Sequence, residues 1–91
     1  MDWNTKSQKE LFDEYNQRMD SSSDEDVVEA FNGQVGNQGS GMAKMAYLSA
    51  LRAQLTKRKI DFSAVGNSES MSYAYKVILK GKKIFILSKN D

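Results

Sequence analysis

Four of the chain's six glycines fall within nine residues, Gly33-Gln34-Val35-Gly36-Asn37-Gln38-Gly39-Ser40-Gly41, directly ahead of an alanine- and leucine-rich stretch. A glycine-rich loop feeding a helix is chemically suggestive. Free N–H groups at a helix start attract anions, and glycines let an anion approach the backbone closely. Gly36, Gly39, Ser40, Gly41 and Lys44 are therefore the candidate anion-binding residues, with Lys44 reaching from the first helical turn toward whatever sits over the loop. The match to known phosphate loops is poor. Gly36 and Gly41 have the spacing of a Walker A loop, but Met42 and Ala43 stand where lysine and a hydroxyl residue belong. A dinucleotide fingerprint also fails, because Lys44 replaces its third glycine and a helix, not a strand, precedes the loop. The plain alternative is an inter-helix connection that needs positive φ at several positions.

Other chemistry is scarce. Histidine and cysteine are absent, so the commonest general base, thiolate nucleophiles and most zinc sites are missing. Asp24, Glu25 and Asp26 are consecutive and fan around a helix axis, which suits a solvated helix start and not a shared substrate. Asp20, Asp24 and Asp26 lack the spacing of a calcium loop. Ser40 and Lys44 stand four apart, but a serine in a loop is a weak nucleophile candidate. The reading is no enzyme, no cofactor and no metal.

The last constellation is basic and aromatic. Lys57, Arg58 and Lys59 close the third helix, while Lys76, Lys80, Lys82, Lys83 and Lys89 decorate the C-terminal part, interleaved with Tyr73, Tyr75 and Phe85. Cations neutralise phosphates and exposed aromatics stack on unpaired bases, so the composition fits an acidic partner, either protein surface or nucleic acid. The alternative is that lysines protect the edges of a hairpin and the tyrosines fill a small core. No RNP motif, zinc finger or helix-turn-helix pattern names a nucleic-acid module.

These residues need a scaffold, and 91 residues allow one domain, 1–91, with one modest core. Residues 1–31 carry nine acids against three bases, and residues 32–91 carry ten bases against three acids. The acidic helical part spans 1–32. Asn4 or Thr5 caps a first helix through a Thr5-Lys6-Ser7-Gln8 box, with Leu11, Phe12, Tyr15 and Met19 as its apolar stripe. Ser23 caps a second helix bearing Val27, Val28 and Phe31, which Gly33 closes. The glycine-rich loop fills 33–41, and a third helix runs from 42 to 58 with Leu48, Leu51 and Leu55 aligned. The β part covers 60–88, with strands Tyr73–Leu79 and Lys83–Leu87. A two-residue Gly81-Lys82 turn pairs Leu79 with Ile84 and gathers Tyr73, Tyr75, Val77, Leu79, Ile84 and Ile86 on one face. Ile60–Val65 reads equally as a third strand or an irregular connection.

The expected fold is α+β: two or three N-terminal helices packed on a C-terminal antiparallel hairpin or three-stranded sheet. No signal peptide or membrane span is visible, which places the chain in the cytoplasm by default. The leading functional expectation is a small non-enzymatic interaction domain whose basic half, Lys57, Arg58, Lys59, Tyr73, Tyr75, Lys76, Lys80, Lys82 and Lys83, binds an acidic partner. Protein is favoured over nucleic acid, because the chain's own acidic helices repel phosphate. The alternative is an anion or small-ligand role, or an enzyme-accessory one, for the glycine loop and Lys44.

Overall fold

Among the described residues, three helices precede one antiparallel hairpin: α1 (Gln8–Asp20), α2 (Asp24–Gln34), α3 (Met42–Lys57), β1 (Val77–Lys80) and β2 (Lys83–Ile86). The computed structural model describes residues 7–37, 39, 41–67 and 69–87. The α+β class and the order of elements follow the sequence reading. Among the described residues no helix is long and apolar enough to cross a membrane.

Local chemistry explains where the elements begin and end, sometimes one step from the expected position. Ser7, not Asn4 or Thr5, caps α1. Its hydroxyl accepts from the Glu10 N–H while the Glu10 carboxylate accepts from the Ser7 N–H. The capping box is thus Ser7/Glu10, and Asn4 and Thr5 lie outside the described residues. Ser23 caps α2 as expected, its hydroxyl accepting from the Asp26 N–H. Gly33 does not close α2. The helix runs on to Gln34, and the chain turns at Gly36, whose φ of +79° a side chain would resist. Helix α3 opens at Gly41 with no side-chain cap.

The core joins all three helices to the hairpin. Val27, Val28 and Phe31 of α2, Leu51 and Leu55 of α3, Ile60, Val77 and Ile84 are all buried in one cluster with Met19. Each such side chain is worth about 1.5–3 kcal/mol of transfer free energy. Helix α1 packs along α3, where the small buried Ala46 and Ala50 let a neighbour approach closely.

Within the hairpin, Val77 pairs with Ile86, Leu79 with Ile84 and Lys80 with Lys83, so the two-residue turn and its register are those expected. Gly81 takes φ +64° at the first turn position. The expected strand start is wrong by four residues. Tyr73 has left the sheet and stacks on Phe31, ring centroids 4.6 Å apart, and Tyr75 is exposed before β1 begins. The predicted face is also only half covered: Val77 and Ile84 are buried, Leu79 is half-buried and Ile86 is exposed. Residues 60–65 form no third strand. Asp61 alone bridges to β2 in parallel, its N–H donating to the Lys82 carbonyl at 2.6 Å and its carbonyl accepting from Ile84 at 2.9 Å.

Candidate functional site: the outer face of the hairpin and the helix clamp behind it

The basic residues separate into two groups. Lys57, Arg58 and Lys82 turn inward onto the acidic helices. Arg58 donates from Nη1 to Asp24 Oδ1 at 2.8 Å, from Nε to Gln54 Oε1 at 2.8 Å, and from Nη2 to the carbonyls of Met19 and Ser22, both at 2.7 Å. Its side chain is only 14% exposed. The guanidinium thereby covers the carbonyls where α1 ends, the negative pole of that helix dipole. Lys82, at the hairpin turn, takes the other Asp24 oxygen at 2.8 Å and the Arg58 carbonyl at 3.2 Å. Lys57 pairs with Asp20 at 2.7 Å. Gln54 is 1% exposed, and its amide donates to Asn16 and Asp20. This clamp fastens α1, α2, α3 and the hairpin turn together.

Lys82 and Arg58, in that order, hold the Asp24 carboxyl below the ordinary carboxylate range. Lys57 and then Gln54 do the same for Asp20. Stabilisation from a depressed carboxyl is complete above the unfolded value of about 4 and is lost as pH falls through the lower folded one. Urea midpoints should be level from about pH 7 to pH 5 and drop below about pH 4. Asp24→Asn should lower the midpoint at neutral pH and flatten that acid limb. An equally steep limb in the variant would remove Asp24 from the account.

The second group faces outward. Strand alternation puts Lys76, Ile78 and Lys80 beside Lys83, Phe85 and Leu87 on the face away from the core. The Leu87 N–H donates to the Lys76 carbonyl at 3.0 Å, which extends the ladder by one pair. Ile78, Phe85 and Leu87 are each 41–42% exposed. The Lys80 and Lys83 ammonium groups stand 5.9 and 5.5 Å from the Phe85 ring centroid. Lys76 and Lys80 have no carboxylate partner among the described residues, while Lys83 feels Asp61 at longer range. Lys59 is exposed at the end of α3, with φ +60°. Tyr73 is half-buried, burial pushes its phenol up, and its hydroxyl donates weakly to the Leu48 carbonyl at 3.4 Å. It packs against the core. Tyr75 keeps 41% exposure.

Sequence reasoning passed over Ile78 and Leu87 as partner-facing residues, although alternation in the favoured register identifies them. It also had no signal for Gln54, whose partners lie on another helix.

The glycine-loop residues are placed differently. Gly36, Asn37, Gln34, Lys44, Leu48 and Tyr73 line an open cleft of about 380 Å³. The Lys44 ammonium donates to the Asn37 carbonyl at 2.6 Å, so it closes its own loop. Gly39 and Gly41 are exposed; Ser40 and Lys89 lie outside the described residues. Among the described residues, no three carboxylates come together as a metal site would require. No family model, curated protein or solved structure matches this chain.

Proposed function

We propose that this is an interaction domain whose hairpin binds an acidic protein surface through Lys76, Lys80, Lys83, Ile78, Phe85 and Leu87. One observation carries the reading: an exposed apolar strip lies between lysines that no carboxylate among the described residues pairs with. An apolar, aromatic centre with a polar rim is the usual anatomy of a protein-binding patch, and here the rim is cationic. The inward group, Lys57, Arg58 and Lys82, serves the fold. The loss of Tyr73 to the core also removes one of the two tyrosines that single-stranded nucleic acid would need as a stacking platform.

The test is a resonance titration with a peptide alternating glutamate and leucine, run beside oligothymidylate. The peptide should shift the amides of Ile78, Lys80, Lys83 and Phe85, more weakly as salt rises. Phe85→Ala should abolish the shifts without changing the unfolding free energy from urea titration by more than about 0.5 kcal/mol. Shifts with oligothymidylate alone would replace the protein partner by nucleic acid. Silence with both probes would end the proposal.

A second reading belongs to the cleft beside Lys44, whose lining joins an ammonium to Gln34, Asn37 and the Tyr73 ring. For an anion to bind there, Lys44 must exchange its bond to Asn37. Inorganic phosphate should then shift Gly39, Gly41 and Met42, and Lys44→Ala should abolish the response.

A further inference from the structure

Once the internal ion pairs are formed, an acidic surface is left over as well as a basic one. Asp24 is turned inward onto Arg58 and Lys82, Asp20 holds Lys57, and Asp13 holds Lys9. Glu25, Asp26 and Glu29 are exposed on α2 and have no cationic partner among the described residues. Beside Asp26, with Glu29 one helical turn further on, a groove of about 220 Å³ runs between α1 and α2. Tyr15, Met19, Val27, Ala30 and Tyr47 give it an apolar floor, and Asp26 stands in its wall. Arg18 is its cation, 3.9 Å from Glu14. The chain thus carries an aromatic knob between two lysines, Phe85 with Lys80 and Lys83, and also an apolar hole with acid at its margin.

We infer that the partner of the hairpin face is a second copy of this chain, Phe85 of one copy seating in the α1–α2 groove of the next while Lys80 and Lys83 meet Asp26 and Glu29. This rests on the hairpin reading above and names the occupant. Charge complementarity favours it over a hairpin-to-hairpin contact, which would bring lysine against lysine. Knob and hole are different surfaces, so the contact is heterologous, and each copy keeps one free end. Both patches are small, which places the association in the weak, transient class.

The experiment is sedimentation velocity on the whole chain and on two variants that each keep one patch. Asp26→Asn with Glu29→Gln spoils the hole; Phe85→Ala with Lys80→Gln and Lys83→Gln spoils the knob. Urea midpoints near wild type establish that both are folded. The wild-type average mass should rise with concentration toward about 1 mM at low salt and fall back at high salt. Each variant alone should associate at least about tenfold more weakly. Their equimolar mixture should recover a one-to-one complex and nothing larger, because each copy then contributes one working patch. A wild type that stays monomeric overturns the inference, as does a hole variant that associates as well as wild type, or a mixture that does not pair. A monomeric wild type whose Ile78 and Phe85 amides still respond to the glutamate–leucine peptide would refute self-association and leave the hairpin reading standing.

Discussion

Arg58→Ala should destabilise the fold by about 3–4 kcal/mol, more than any other charge removal in the chain. The reason is the number of groups it bonds. Of these, Gln54 Oε1 and the Ser22 carbonyl would lose their partner, while the Met19 carbonyl keeps the Ser22 N–H. Asp24 Oδ1, Gln54 Oε1 and the carbonyls of Met19 and Ser22 all accept from this one guanidinium. Hydrogen bonds to a charged group are worth about 1.5–3 kcal/mol each, but partners near the surface recover water, so the losses do not simply add. Lys82 still neutralises Asp24 in the variant, which keeps the cost below that of an orphaned buried charge. Arg58→Lys separates charge from geometry. An ammonium cannot span four acceptors in a planar fork, so at least half of the loss should persist. The measurement is the urea midpoint with its slope. A double-mutant cycle with Asp24→Asn should show a coupling of about 1–2 kcal/mol. If Arg58→Ala costs less than about 1 kcal/mol, or Arg58→Lys is silent, the clamp does not hold the helices together.

The clamp also marks where the sequence stops being informative. The Ser23 cap, the Val27-Val28-Phe31 stripe and the Gly81-Lys82 turn are local signals, and each was legible because its physics involves residues within four positions. The start of α1 is ambiguous in the sequence because Asn4, Thr5 and Ser7 all make good caps and both Thr5/Gln8 and Ser7/Glu10 fit a capping box, of which the structure forms the second. Tyr73 has the propensity of a strand residue, yet stacking on Phe31 and burial override it. Lys57, Arg58 and Lys59 look alike as a run, but the acids that take the first two lie far away in the chain: Asp20 is 37 positions before Lys57 and Asp24 is 34 before Arg58. Nothing in the run itself distinguishes a lysine or arginine that fastens the fold from one that faces outward. The hairpin's outer strip is half legible: turn chemistry fixes the register, but which face of a two-sided apolar hairpin the helices cover is set by tertiary packing.

Asn32→Ala is the second change expected to be large, about 2–3 kcal/mol, although it removes no charge and little apolar surface. The Asn32 side chain acts as a missing strand. Its amide donates to the Val77 carbonyl at 2.9 Å, and its oxygen accepts from the Val77 N–H at 2.8 Å. Val77 is 2% exposed, so the outer edge of β1 enters the core, where among the described residues it pairs with no strand besides β2. Without Asn32, both backbone groups lose their partners, and water reaches them only if α2 and β1 separate. Asn32→Leu restores the volume and none of the bonds, so it should be about as damaging; rescue by leucine would show that packing, not pairing, is at stake. Asn32→Asp tests the pairing more sharply. Its carboxylate can still accept from the Val77 N–H but repels the Val77 carbonyl, which raises the carboxyl's pKa. Protonation restores a donor, so this variant should regain stability relative to wild type as pH falls through that raised value, opposite in sign to the acid loss at Asp24 and Asp20. Amide exchange at Val77 gives an independent reading, because its protection should fall by one to two orders of magnitude with Asn32→Ala if the stability loss is about 2–3 kcal/mol and the amide opens globally. An unchanged Val77 exchange rate would mean that the edge of β1 is covered by something other than Asn32.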